Sequence, residues 1–245
     1  MTITLSDVEN RNALGARLVR GIHDAIDRAN ADPSIRVVVL TNEGTTFCAG
    51  ANLKERQKQT TQQNDGGELV ELLRAVQTSP TPILARIAGH VVGGGNGLAA
   101  AVDIAIADEN AKFGFTEVRL GVAPAIISVV CLPKMRHGEA MEAFLRGHRF
   151  TASKAAELGL ISRAVPSDQL DTTVHEIIAD LKKGGPHALG IAKKLVHEVP
   201  AMNRSQAAEW TARLSGELFT TEEAAEGMAA FLEKRTPSWG EPQGD

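Results

Sequence analysis

Glu117 is the carboxylate in this sequence whose surroundings favour acid–base chemistry. It follows one apolar segment and precedes another, so its carboxyl group is expected to be partly removed from water. Desolvation disfavours the charged form and raises the pKa of a carboxyl toward the range useful for proton transfer near neutral pH. The plain alternative is a salt-bridged or surface glutamate, and the sequence around Glu117 does not by itself separate the two.

A run of glycines, GGGNG at 93–97, offers a second kind of chemistry. It follows an apolar segment ending at Ile87 and precedes small residues typical of a helix. Glycine permits a tight turn and a close approach to the main chain, while the first N–H groups of a helix lack partners inside it. The run predicts a backbone site for an anion or oxyanion, unless its glycines serve only close packing. Gly50, between two alanines, marks a second such turn.

Other site patterns are absent from the sequence. A dinucleotide fingerprint beginning at Gly93 needs glycine where Leu98 stands, and no GxxxxGK[ST] phosphate loop occurs. The histidines lack metal-binding spacing and there is no GxSxG motif, so we expect neither a metal site nor a serine nucleophile of that kind. Cys48 and Cys131 lack CxxC spacing and are predicted to be small core residues in a reducing compartment.

Hydrophobic periodicity places these features on alternating strands and helices. It predicts a strand at 2–5, a helix at about 13–30, a buried strand at 35–40, and a strand at 83–87 that runs directly into the glycines. The polar stretch 57–67 predicts a surface loop. The first half of the chain is therefore predicted to be α/β.

The second half is predicted to become helical. A threonine cap and a closing glycine predict a helix over 151–160, followed by a strand over 161–165. From Asp168 onward every periodic segment is helical, ending with a helix at 222–233 behind the capping box TTEE at 220–223. Strands are thus expected to stop after about Val165.

Composition and charge limit which partners and which cellular compartment are expected. The chain has 245 residues, of which 43% are hydrophobic and 23% charged, which is typical of one large globular domain or a core with an appendage. The net charge of −4 and the scattered Lys and Arg argue against nucleic acid or an anionic membrane as partner. No apolar run reaches about 18 residues and no export signal is visible, so we expect a cytoplasmic protein.

Five segments in order resemble the enoyl-CoA hydratase/isomerase, or crotonase, family, over nearly the whole chain. They are FCAGANLK at 47–54, AGHVVGGG at 88–95, FGFTEVRLG at 113–121, TASKAAELGL at 151–160 and FLEKRTPSW at 231–239. The resemblance implies an α/β spiral of ββα units followed by a helical trimerisation segment. We accordingly expect a spiral core over 1–185 and a helical oligomerisation segment over 186–245, assembled as a homotrimer or a dimer of trimers.

The same resemblance implies a reaction and its machinery. Family members act on CoA thioesters through an enolate-like state, in which negative charge grows on the thioester oxygen. By position in the motifs, the backbone N–H groups of Ala51 and Gly94 would form the oxyanion hole, and Glu117 would be the acid/base. No separate cofactor is implied, because CoA arrives as part of the substrate.

The resemblance also suggests where the acyl-CoA binds. The adenine would lie near the backbone of Ala49 to Ala51, and Lys54 would contact phosphate. Phe231 and Lys234 of a neighbouring subunit would contribute further contacts, although lysines on a loop and at a helix end are commonly just solvated. Gly93, Gly97 and Ile126 would line the acyl pocket.

Departures from the family pattern leave the reaction open. Family hydratases commonly have a second glutamate at the position where this sequence has Gly97, so one of the two carboxylates is missing. Asn52 replaces a frequent aspartate, and APAIIS at 123–128 replaces a glycine-rich segment, which predicts a bulkier acyl-pocket wall.

Three functions are compatible with a single carboxylate. The first is an enoyl-CoA hydratase, including a branched or glutaconyl type, in which Glu117 takes a proton from water and returns it to carbon. The second is a Δ3,Δ2-enoyl-CoA isomerase, which needs Glu117 alone. The third is an acyl-CoA-binding protein that has lost turnover.

Overall fold

The computed structural model describes residues 1–57 and 66–240. Its strands are β1 (Thr2–Leu5), β2 (Val38–Asn42), β3 (Thr46–Cys48), β4 (Ile83–Ile87), β5 (His90–Val92), β6 (Ile104–Asp108), β7 (Lys112–Gly114), β8 (Arg149–Thr151) and β9 (Arg163–Val165). Its helices are α1 (Ala16–Ala31), α2 (Leu53–Arg56), α3 (Gly67–Thr78), α4 (Gly94–Ala101), α5 (Ala125–Cys131), α6 (His137–Arg146), α7 (Ala152–Glu157), α8 (Leu170–Lys183), α9 (Pro186–Glu198), α10 (Arg204–Phe219) and α11 (Glu222–Glu233). Most of the loop predicted at 57–67 lies outside the described residues.

Two sheets share the strands. The larger has the order β1-β2-β4-β6-β9 and is parallel throughout. The smaller has the order β3-β5-β7-β8, with β8 antiparallel to β7. In the pairs β2–β3, β4–β5 and β6–β7 the first strand lies in the larger sheet and the second in the smaller one before the chain enters a helix, so the predicted spiral of ββα units is confirmed.

Burial explains why the strands of the larger sheet carry apolar residues on consecutive positions. Leu40, Leu84 and Ile106 are almost fully buried, as expected for parallel strands covered on both faces. Helix α1 instead buries one stripe, which includes Ile22 and Ile26, and exposes its charged face. The strand predicted at 35–40 begins later, at Val38, and the strand at 83–87 is confirmed at both ends.

The prediction that the strand ending at Ile87 runs directly into the glycine turn is wrong. A second short strand, β5, lies between them and belongs to the other sheet. Gly89 makes the crossing between the two sheets possible, because a Cβ there would lie 2.6 Å from the carbonyl carbon of Thr45. The glycine turn therefore begins from β5, beside β3 and β7, and not from the larger sheet.

After Val165 the described chain is helical, as predicted. Thr221 caps α11 by accepting a hydrogen bond from Ala224 N, but the predicted capping box is incomplete. Glu223 does not turn back to its own helix: its carboxylate accepts from the N–H groups of His187 and Ala188, at the start of α9. Helix α11 thus supplies the N-terminal cap of α9.

Helix α9 also carries a buried ion pair with the core. Lys193 Nζ lies 3.0 Å from Asp103 Oδ2 and donates to Val76 O at the end of α3. Burial raises the pKa of Asp103 and lowers that of Lys193, and each partner offsets part of the other's shift. The pair links the helical segment to the α/β core. The described helices include none long and apolar enough to cross a membrane.

Candidate active site

Close packing of α4 on β3 brings the two glycine-containing turns together. A Cβ on Gly95 would lie 2.6 Å from Cys48 O, so only glycine allows this approach. The loop after β3 carries Ala49–Ala51 and the turn after β5 carries Gly93 and Gly94, and both leave the same sheet at the same edge. A Cβ on Gly94 would lie 3.8 Å from Ala51 N, which shows that the two turns are in contact.

The Ala51 amide is held by a bridge to Leu14. Leu14 N donates to Gly50 O at 2.7 Å and Asn52 N donates to Leu14 O at 3.4 Å. In a parallel bridge of this kind the middle residue directs its own N–H away from the partner strand. Within the described residues the Ala51 N–H donates to no protein acceptor, and it is therefore available to a ligand.

A clamp fixes the segment that follows Ala51. Asn52 caps α2 by accepting from Glu55 N, and its amide donates to Glu55 Oε1 at 2.8 Å. The other oxygen of Glu55 accepts from Ala16 N at the start of α1. Asn52, which stands where the family pattern often has aspartate, is therefore engaged in shaping the loop.

Gly93 and Gly94 form the second turn. Gly93 has φ +54°, a conformation that side chains other than glycine rarely adopt, and it precedes the first residue of α4. Gly94 is half-buried, and its N–H has no protein acceptor among the described residues, as expected for the first residue of a helix. The turn thus presents a second free amide beside that of Ala51.

Glu117 lies against the same turn. Its Oε1 is 3.4 Å from the position that a Cβ on Gly93 would occupy, and its Oε2 is buried without a hydrogen-bond partner among the described residues. Burial raises the pKa of Glu117 above the usual 4.5, and a backbone hydrogen bond lowers it by less. The residue is therefore a half-buried carboxyl facing the turn, and it forms no salt bridge with the residues that the structure describes.

Gly97 does not leave an open space where the second carboxylate would stand. Ile127 of α5 covers it: a Cβ added to Gly97 would touch Ile127 Cγ2 and lie 3.0 Å from its Cβ. A glutamate at position 97 would therefore require Ile127 to move. The missing carboxylate and the isoleucine on α5 are two parts of one local arrangement.

The buried thiols take no part in this chemistry. Burial raises the pKa of Cys48 to about 12, and it also raises the pKa of Cys131. The thiolate is the reactive form of cysteine, so both groups are inert at neutral pH. Residues 1–57 and 66–240 contain no group of three or more His, Cys, Asp or Glu arranged to hold a metal ion.

Comparison with known proteins assigns the chain. Residues 1–242 match the model of the family described as enoyl-CoA hydratase/isomerase. The chain belongs to this family. The resemblance carried by the five sequence segments is thereby confirmed.

Relatives of this family member resemble it along almost their entire length. An enoyl-CoA hydratase from Mycobacterium tuberculosis is 30% identical over 245 residues, which cover 98% of this chain and 92% of the relative. A mevalonyl-coenzyme A hydratase from Aspergillus fumigatus is 32% identical, covering 98% of this chain and 90% of the relative. The crystal structure of an enoyl-CoA hydratase from Bacillus anthracis matches with a TM-score of 0.90 at 31% identity, covering 98% of this chain and 95% of that chain.

The structure brings together only some of the residues predicted for the site of this enoyl-CoA hydratase/isomerase family member. Ala49 is half-buried next to Gly50. Ile126 of α5 packs so closely against Gly66 that it would contact a Cβ added there. Lys54 is exposed on α2. Phe231 and Lys234 lie at the end of α11, exposed, and the described residues of one chain form no hydrogen bond or ion pair between them and the two turns.

Two residues at the site were not predicted from the sequence. Ile127 covers Gly97, and Asn96 is fully buried behind the turn, where its amide donates to Gly93 O and Gly114 O. An asparagine inside a small-residue helix was a signal, since a buried amide needs partners. The bulkier wall predicted from residues 123–128 includes Ile127, but the sequence did not place Ile127 over Gly97, because that depends on how α5 packs on α4.

Proposed function

We propose that the protein hydrates the 2,3 double bond of a 2-enoyl-CoA thioester. The observation that carries the proposal is the position of Glu117, whose carboxylate lies beside the turn that presents the Gly94 N–H. The free Ala51 N–H lies on the facing loop. An acid/base group thus stands next to two amides that have no protein acceptor among the described residues.

The amides of Ala51 and Gly94 would bind the thioester oxygen. When water adds at C3, negative charge moves onto that oxygen, and two fixed N–H donors stabilise it. Loss of one such donor typically costs roughly 3 kcal/mol of transition-state stabilisation. Because both donors belong to the main chain, small side chains suffice at these positions.

Glu117 would move both protons. Its carboxylate takes a proton from water as the water oxygen bonds to C3, and the enolate forms on the thioester. The protonated carboxyl then delivers the proton to C2, which restores the thioester carbonyl and gives the 3-hydroxyacyl-CoA. The raised pKa supports both steps, since it makes the carboxylate a stronger base than an ordinary one while the protonated carboxyl can still give the proton back.

The environment of Gly97 supports a one-carboxylate mechanism and an apolar acyl pocket. Ile127 occupies the side on which a second glutamate would stand, and its neighbour Ile126 adds a further aliphatic side chain. We propose that Gly93, Gly97 and Ile126 line the acyl end of the site. The same geometry gives a reason for the second candidate, a Δ3,Δ2-enoyl-CoA isomerase, in which Glu117 alone carries a proton between C4 and C2.

The CoA contacts and the assembly are further parts of the proposal. Ala49 would lie beside the adenine, Lys54 would pair with phosphate, and Phe231 and Lys234 would reach the site of a neighbouring subunit. Apolar side chains exposed on the last helices, such as Phe219 and Leu232, support contact with further copies of the chain, and the family resemblance suggests a homotrimer or a dimer of trimers. We expect the assembly to be cytoplasmic and to need no cofactor beyond the CoA of its substrate.

Product analysis tests the proposal. The purified protein is incubated with crotonyl-CoA, a methyl-branched 2-enoyl-CoA, glutaconyl-CoA and a 3-enoyl-CoA, and loss of the conjugated thioester absorbance is followed together with product mass. A mass gain of one water on a 2-enoyl substrate supports hydration. Conversion of the 3-enoyl substrate to its 2-enoyl isomer without hydration supports the isomerase. Binding without any turnover shows a non-catalytic acyl-CoA-binding protein and contradicts both.

A further inference from the structure

Asn96 holds the turn that carries one of the proposed oxyanion donors. Its side chain is fully buried, and its Nδ2 donates to Gly93 O at 3.1 Å and to Gly114 O at 2.9 Å. The backbone N–H of Asn96 donates to the same Gly93 oxygen at 2.9 Å, and Gly93 N donates to Gly114 O at 3.0 Å. One carbonyl oxygen, that of Gly93, therefore accepts two hydrogen bonds from Asn96.

Those bonds determine the direction of the Gly94 N–H. The Gly93 carbonyl and the Gly94 N–H belong to the same trans peptide, so the two groups point in opposite directions. Holding the oxygen against Asn96 turns the N–H outward, away from the helix interior. A peptide between two glycines has little intrinsic preference for one orientation, because neither residue has a Cβ to restrict it.

We propose that Asn96 is a positioning residue that keeps the Gly93–Gly94 peptide oriented with its N–H toward the thioester oxygen. The proposal rests on the proposed function, because it takes Gly94 N–H as an oxyanion donor. Asn96 touches no reacting atom and acts through the peptide that it restrains.

The energetics of Asn96 favour this role over simple packing. Its Oδ1 is buried and finds no partner among the described residues, and an unsatisfied buried polar atom destabilises the fold. The neighbouring buried positions of α4, Leu98 to Ala101, are all apolar. An apolar residue at 96 would avoid the unsatisfied oxygen but would leave the Gly93 carbonyl without its side-chain donor.

Two substitutions and one control test the role. Asn96→Ala removes the side-chain donor and keeps the backbone N–H that bonds to Gly93 O. Asn96→Ser keeps a hydroxyl that can reach the carbonyl three residues back, as Ser128 Oγ does with Ala125 O at 2.6 Å in this chain. Ala100→Gly, at a buried position near the end of α4, weakens the helix without touching the turn and serves as the matched stability control.

We expect kcat to fall about 10-fold in Asn96→Ala, less than for outright loss of an oxyanion donor because Asn96 N still bonds to Gly93 O, and to take an intermediate value in Asn96→Ser. KM should change much less. Ala100→Gly should keep its kcat even if its midpoint of urea unfolding falls as far as that of Asn96→Ala. The second measurement is the infrared stretch of a ¹³C-labelled thioester carbonyl in bound crotonyl-CoA, recorded in a Glu117→Gln background to prevent turnover. The downward shift of this band should be largest with Asn at position 96, smaller with Ser and smallest with Ala.

The outcomes separate the positioning role of Asn96 from the oxyanion hole itself. Folded Asn96 variants with unchanged kcat and an unchanged carbonyl shift overturn the positioning role while leaving the proposed function intact. If the protein with Asn96 present shows no carbonyl shift relative to free crotonyl-CoA, the oxyanion hole itself is refuted. If Asn96→Ala does not fold, Asn96→Ser carries the test, since an intermediate shift supports the role and an unchanged one overturns it.

Discussion

Replacing Glu117 with glutamine tests the proposed chemistry most directly. Glutamine keeps the size of the side chain and can still hydrogen bond, but it cannot take a proton from water. Ile127 covers Gly97, so the site offers no second carboxylate at the position where the family pattern places one. Both proton transfers then depend on the one residue that has been changed.

The expected loss follows from that dependence. A positioned general acid or base contributes typically 10²–10⁴-fold to the rate of its step, and here one group would serve two steps. We expect kcat for hydration of crotonyl-CoA to fall by about 10⁴-fold or more in Glu117→Gln. The Kd for a non-reactive saturated acyl-CoA should stay within a few-fold, because the amides of Ala51 and Gly94 are unchanged.

The assay follows the absorbance of the conjugated thioester at several enzyme concentrations, with binding measured separately by calorimetry. Glu176→Gln is a suitable comparison, because it makes the same change at an exposed glutamate of α8. A Glu117→Gln enzyme that retains more than a tenth of the original kcat would refute the assignment of Glu117 as acid/base.

Further expectations concern pH, packing and the buried ion pair. Because the pKa of Glu117 is raised, kcat should rise with pH through a midpoint above 4.5. A raised pKa in the folded protein also means that the charged Glu117 destabilises the fold above that midpoint. Glu117→Gln should therefore raise Tm at neutral pH. The gain should vanish below about pH 4, where the carboxyl is protonated in both the folded and the unfolded chain. Gly97→Ala should cost about 1–3 kcal/mol of unfolding free energy by crowding Ile127, and Ile127→Ala in the same chain should reduce that cost in urea titrations; additive effects would contradict the contact. Lys193→Met should cost about 3 kcal/mol of unfolding free energy by removing the ion-pair partner of Asp103, which keeps only the hydrogen bond from Ile83 N among those described, and Asp103→Asn added to it should recover part of the loss; no recovery would show that the pair is not coupled.

The fold was predicted well where the sequence signal is local. The strand at Ile83–Ile87 and the cap at Thr151 follow from side-chain type and spacing, and the structure has them, whereas the capping box predicted at 220–223 does not form. The short strand His90–Val92 was missed, because three residues after a glycine carry no periodicity. The partner of Glu223 was also beyond prediction, since α9 approaches it only through tertiary packing.

The residues of the candidate site could be named from the sequence, whereas the contacts that hold them could not. Spacing and family resemblance pointed to Ala51, Gly94 and Glu117, and the structure places all three around one turn. The clamp of Asn52 on Glu55 and the cover of Ile127 over Gly97 depend on distances between elements far apart in sequence. A single sequence records which residues are present, and it does not record which helix will lie on which turn.

The arrangement of the sheets has a consequence for how the protein folds. Neighbouring strands of the larger sheet are joined through long stretches of chain, so that β1 pairs Thr2 with Val39 and β6 pairs Ile106 with Arg163. Non-local pairing of this kind slows folding, because loop closure must precede the contacts that stabilise it. The loops after β3 and β5 meet only when their strands have paired in the smaller sheet. A nascent or fragmentary chain would therefore contain every residue of the proposed site and still lack the facing pair of amides proposed as the oxyanion hole.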